Sequence, residues 1–267
     1  MPNPMFNEST MSGGSNGWPA PAPGTQAPAT DGPVSPWQRD TMTVSGTISA
    51  TAVLFTLLLA SAAFGWISTE SIDFEGATGI SIPTMAWVGL GVGFVAVIAL
   101  YFKPHLARIL GPIYALAQGF FIGALSKGYE TFYDGIVVQA AAATISVFFV
   151  MLVLYRTGII KVTDKFRRIV VGATLGIMLL YGVSFLIRLL GGNVSFLSSP
   201  SLLGIGFSLL VCGIAAMNLA LDFDLIDRGV EQGAPKAYEW YAAFALMVTI
   251  IWLYMEMLRL LAKLRER

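Results

Sequence analysis

The chain has 267 residues, of which 55% are hydrophobic and only 12% charged, and its mean hydropathy is +0.71. A globular domain carries about 25% charged residues, so a soluble two-domain protein is excluded, and the lone Cys212 excludes a disulfide scaffold. With 16 Lys and Arg against 16 Asp and Glu there is no basic excess for a nucleic-acid footprint.

Residues 1–38 are dominated by Pro, Gly, Ala, Ser, Thr and Asn, as in WPAPAPGTQAPATDGPVSP. Such a stretch buries too little apolar surface to offset its conformational entropy, and it reads as a disordered, cytoplasmic tail. No secretory signal is expected there, because Arg39 is the first basic residue and the apolar run from Thr43 is too long for a signal core.

A helix needs roughly 20 apolar residues to cross a hydrocarbon core of ~30 Å. Seven blocks qualify, over about 43–67, 84–102, 109–127, 136–155, 168–190, 202–221 and 238–262. The fold class expected over 39–267 is therefore an all-α integral membrane protein, a seven-transmembrane-helix bundle joined by short loops. Trp66, Trp87 and Trp240 sit at block ends, where interfacial aromatic anchors belong.

Orientation follows from the basic residues. Arg156, Lys161, Lys165, Arg167 and Arg168 fall between blocks four and five; Lys103 and Arg108 between two and three; Arg228 and Lys236 between six and seven. Together with Arg39 they place the N-terminus in the cytoplasm. Lys263, Arg265 and Arg267 in the C-terminal tail point the other way, and a re-entrant seventh block would bring both ends to one side. Seven full spans are the expectation.

Gly89 and Gly93, Gly119 and Gly123, and Gly172 and Gly176 are GxxxG pairs, which suit either packing within the bundle or an oligomer face. A monomer or weak homo-oligomer follows. GLGVGF at 89–94 lacks the preceding strand and the lysine of a phosphate loop, and is a packing feature.

Ionisable groups in or beside spans carry the functional information, because each costs a few kcal/mol at the bilayer centre unless paired or hydrated. LDFDLIDRG sets Asp222, Asp224 and Asp227 at the end of the sixth block, and Glu239 opens the seventh at the same depth. These carboxylates could line a cytoplasmic vestibule for a hard cation such as Ca²⁺, with Asp222 and Asp224 as ligands, or form a solvated helix end balanced by Arg228 and Lys236. An EF-hand is excluded, since Ile226 and Gly233 stand at the fifth and twelfth positions. Glu256 and Arg259 can pair at i, i+3, with Arg188 as a second candidate partner, either structurally or as a gate. Gln118 is the main polar side chain of the third block. The single histidine, His105, lies in a loop, HExxH and GxGD are absent, and Cys212 has no basic neighbour in sequence, so no enzyme and no cofactor are expected.

GPIYALAQGFFIGALS at 111–126, LDFDLIDRG at 221–229 and EWYAAFALMVTIIWLYMEMLRLLAKL at 239–264 resemble the Bax inhibitor family in its bacterial YccA/YetJ-like branch. The resemblance leaves out the N-terminal tail. It implies seven helices with the last one central, a location in the bacterial cytoplasmic (inner) membrane, and a slow, proton-sensitive Ca²⁺ leak. It also implies, as an alternative, regulation of a membrane-bound AAA protease. In that branch an aspartate pair on helices six and seven senses pH and is latched by an arginine on helix two. Asp222 falls at the first aspartate, with Asp224 close by; Thr249 replaces the second, Lys103 or His105 stands for the arginine, and Gln118 for a frequent glutamate. Glu239 is the residue that could titrate with Asp222 or Asp224 instead.

Overall fold

The computed structural model describes residues 41–74, 77–192 and 199–267; the tail expected over 1–38 lies outside them. Seven helices, each long and apolar enough to span a membrane, account for most of the chain. They are α1 (Val44–Ile67), α2 (Thr84–Phe102), α3 (Ala107–Phe132), α4 (Ile136–Arg156), α5 (Asp164–Leu189), α6 (Leu202–Glu231) and α7 (Ala237–Arg265). An antiparallel hairpin, β1 (Glu70–Phe74) with β2 (Ala77–Ser81), joins α1 to α2, where only a short loop was expected. Pro104–Leu106 forms one 3₁₀ turn, carrying His105, between α2 and α3.

Helix starts follow side-chain chemistry. The Thr43, Thr163 and Ser201 hydroxyls accept from the amides of Gly46, Phe166 and Gly204, capping α1, α5 and α6. The turn into α4 is tight because Gly135 takes φ +74°, a left-handed conformation. There the Glu130 carboxylate accepts from the Gly135 and Val137 amides at 2.7 and 3.1 Å, occupying the start of α4.

Three apolar clusters hold the bundle, and α7 contributes to each. Phe244 and Met247 pack with Leu54, Leu100 and Tyr114; Leu246 and Leu253 with Cys212, Leu219 and Phe223; Leu258 and Ala262 with Ile136 and Ala140. Cys212 is thus buried packing, as its neighbours in sequence imply.

The two ends of α7 lie at opposite faces. At its start, Met42 donates to the Ala234 carbonyl and Thr41 bridges Pro235, so the beginning of α1 and the α6–α7 turn share one face. At its other end, Arg265 donates to the Asp134 carbonyl at 2.6 Å and to Gln139 at 3.1 Å, and the Tyr133 hydroxyl donates to Glu266. That carboxylate pushes the Tyr133 phenol up to about 12. A continuous helix with its ends so placed replaces the re-entrant alternative. Of the dissenting basic residues, Lys263 is buried within α7 and Arg265 is tied to the α3–α4 turn.

Candidate functional site

The polar groups of interest collect along the faces where α6 and α7 meet each other and their neighbours. α6 runs ten residues beyond the expected end of its span, so LDFDLIDRG is helical throughout and does not end the helix. Hydropathy marks how far a helix stays apolar, not where it stops. Here Phe223 is buried in the apolar cluster, and Asp224 and Asp227 find partners on neighbouring helices as the helix continues.

Asp222 lies beside Thr249 of α7, the pairing that the resemblance implied for those positions. The Thr249 hydroxyl donates to the Ala245 carbonyl at 3.2 Å, so its one proton has two acceptors within reach. Asp222 Oδ2 is the one buried side-chain polar atom without a hydrogen-bond partner among the described residues. None of the ion pairs among those residues involves Asp222, so neither Lys103 nor His105 latches it. Tyr241 of α7 is a titratable side chain within electrostatic reach of it. Thr249 stands near the middle of α7, ten residues beyond Glu239 and about 15 Å of helix rise from it. Asp222 is therefore well inside the bundle, not at its mouth.

The remaining carboxylates are engaged elsewhere. Asp224 Oδ2 takes Arg167 at 2.6 Å and Arg228 at 2.8 Å, joining the start of α5 to α6. Asp227 accepts from the Tyr155 hydroxyl at 2.9 Å. Glu239 is buried and accepts from both the amide and the hydroxyl of Thr43, at 3.0 and 2.9 Å, which makes it an anchor for the start of α1. The expected vestibule of four carboxylates is thus divided, and no group of three acidic, His or Cys side chains is placed to hold a metal ion among the described residues. Glu239→Ala is expected to lower stability by about 2 kcal/mol through these two charge-assisted bonds, read as thermal melting in detergent. Gly46→Ala should act alike, because its Cβ would lie 2.1 Å from Glu239 Oε1.

Towards the opposite face, Glu256 is 1% exposed and pairs with Arg259 at 2.8 Å, as the i, i+3 spacing predicts. Tyr181 of α5 completes the group: its hydroxyl donates to Glu256 at 3.0 Å and accepts from Arg259 at 2.6 Å, and the guanidinium lies 4.8 Å from the tyrosine ring centre. Arg259, the first expected partner, holds Glu256, and the further donor to it is Tyr181, two turns before Arg188 along α5. One turn further along α7, the Lys263 ammonium donates to the Gly204 carbonyl at 3.0 Å and to Ser208 at 2.9 Å, in a site where Lys263 is 3% exposed. Gln118 is buried against α2, where Gly93 makes room: a Cβ there would meet its Nε2 at 2.0 Å. It packs two helices together.

Sequence reasoning missed Arg167, Tyr181, Lys263 and Ser208. Lys263 had a signal, because 256, 259 and 263 share one face of a helix. Arg167 had none, since its partner lies 57 residues away.

The sequence model of the family described as Bax inhibitor 1 like matches residues 3–266, taking in the tail that the motifs alone left out. No curated protein and no solved structure matches the chain. A match of that span, on a chain with seven membrane-spanning helices, makes the protein a member of the Bax inhibitor 1 like family.

Proposed function

We propose that this multi-pass membrane protein permits a slow, pH-sensitive leak of Ca²⁺ past Asp222, between α6 and α7, as in the YccA/YetJ-like branch of its family. One observation carries the reading: an ionisable carboxyl against the middle of α7, with a buried oxygen that no described protein group satisfies. Such an atom is costly for stability alone and is satisfied by a proton, a water or a passing cation. No group of three acidic, His or Cys side chains surrounds it among the described residues, which favours passage over storage. Conduction needs a site strong enough to enter and weak enough to leave, and a single carboxylate beside a hydroxyl meets that condition better than an acidic cage.

In this reading Asp222 exchanges a proton for the ion, and Thr249 supplies a hydroxyl oxygen in place of a second aspartate. The Glu256, Arg259, Tyr181 and Lys263 group closes the far half, since two cations against one anion repel a divalent ion there. The basic residues of the α2–α3, α4–α5 and α6–α7 connections support a cytoplasmic N-terminus, and the YccA/YetJ-like resemblance supports a bacterial inner membrane.

Ca²⁺ entry into dye-loaded proteoliposomes tests the proposal. Wild type should exceed empty liposomes, and Asp222→Asn at pH 8 should cut the entry by about tenfold, the equivalent of about 1.4 kcal/mol of ion interaction. No entry above empty liposomes, with folded protein, contradicts it and leaves regulation of a membrane partner such as an AAA protease.

A further inference from the structure

We infer that the groove between α1 and α4 holds one acyl chain of an anionic phospholipid, whose phosphate is seated by Lys127 beside Trp66. α1 packs on α3 and α7, and α4 packs on α7 and more lightly on α3, but α1 and α4 make no extended contact with each other among the described residues. The gap between them is a cavity of about 460 Å³, floored by α3 and α7, and sites of roughly 300–1,000 Å³ take small ligands. It opens sideways: Leu59 on one lip is 63% exposed and Ile145 on the other 56%.

The lining is almost wholly apolar. The two polar atoms on its floor satisfy one another, Ser126 Oγ lying 2.7 Å from the Tyr254 hydroxyl. A floor with no polar group left to pair accepts hydrocarbon without a desolvation penalty. The groove runs along α1 to Trp66, near the end of that helix, where interfacial aromatic rings sit at headgroup level. Lys127 Nζ lies 5.3 Å from the centre of the Trp66 ring, and Lys127 forms no ion pair among the described residues. An apolar slot open to the bilayer, ending at an aromatic ring and an ammonium with no ion pair among the described residues, matches an amphiphile with a hydrocarbon tail and an anionic head. A bilayer supplies that chemistry as phospholipid.

The full chain, with the other five of its six tryptophans changed to Phe, is reconstituted in phosphatidylcholine containing a small fraction of lipid brominated on its acyl chains. Quenching of Trp66 then reports which lipid occupies the groove. Brominated phosphatidylglycerol should quench Trp66 about fivefold more effectively than brominated phosphatidylcholine, the preference expected for one basic residue at headgroup level. Lys127→Gln should remove that preference, and Ala141→Phe, which fills the groove, should reduce quenching by both lipids. Equal quenching by the two headgroups, or a preference that survives Lys127→Gln, overturns the proposal. So does a groove closed by a second copy of the chain, seen as Trp66 shielded from both lipids in a cross-linked dimer. Native mass spectrometry of the chain with all its tryptophans, with and without Lys127→Gln, gives the same comparison as the ratio of bound lipids if the substituted chain does not fold.

Discussion

Arg259→Met is expected to destabilise the protein by about 3–5 kcal/mol, because it leaves Glu256 as a buried charge with no counter-ion. The carboxylate is almost fully enclosed, and Tyr181 alone would remain to donate to it. The companion Glu256→Leu removes the charge that needs compensation, so the double variant should recover most of the loss. A buried pair replaced by apolar side chains of similar volume is often close to neutral, whereas half a pair is not. Tyr181→Phe should cost less, about 1–2 kcal/mol, since it deletes a bridging hydroxyl and keeps the ion pair. Thermal melting in detergent orders the three variants. An Arg259→Met protein that melts with wild type would show that Glu256 finds another partner, and would remove this cluster from any closing role.

Two glycines with the same sequence signature are expected to respond to alanine with opposite signs. A Cβ on Gly123 would lie 1.9 Å from the Ala62 carbonyl oxygen, and its GxxxG partner Gly119 would meet the Leu58 carbonyl at 2.4 Å. Gly65 reciprocates from α1, at 2.2 Å from the Phe120 carbonyl. The obstacle is backbone in each case, so the helices must separate and the substitution cannot be absorbed by a rotamer. Gly123→Ala should lose about 1–3 kcal/mol through this overpacking, despite a gain of up to ~1 kcal/mol in helix propensity. Gly172, on α5, has nothing within 4 Å of a new Cβ. Gly172→Ala should therefore keep the propensity gain and raise stability slightly. Melting temperatures that fall for both variants would place a neighbour on α5 that the isolated chain does not provide.

That contrast shows what the sequence could convey. Helix count and approximate bounds were legible, because span length is a one-dimensional property of an apolar run. The GxxxG pairs were legible as close-packing residues, but not which helix each would meet. Gly89, Gly93, Gly119 and Gly123 pack inside the bundle, while Gly172 and Gly176 meet no described neighbour.

The acidic segment was harder to read. Its three aspartates looked alike, yet the structure gives Asp222 to Thr249, Asp224 to two arginines and Asp227 to a tyrosine. Thr249, Arg167 and Tyr155 sit on α7, α5 and α4, where no local spacing encodes them; Arg228, four residues from Asp224 on α6 itself, was legible as a balancing charge. The depth of Asp222 is hidden for a related reason: in a sequence, charge suggests the water interface, whereas the helix carries this carboxyl inward against the middle of α7. Motif resemblance did better than spacing here, since it alone set Asp222 opposite Thr249.

In the proposed leak, Asp222 is the group through which protons govern ion passage. Ca²⁺ entry into proteoliposomes from pH 5 to pH 8, for wild type and Asp222→Asn, tests this most directly. The amide is a permanent stand-in for the protonated carboxyl. The variant should therefore show a flat profile that coincides with wild type at the acidic end and departs from it as pH rises. A variant whose flux follows wild type at every pH would contradict the assignment, and with it the passage of ions between α6 and α7.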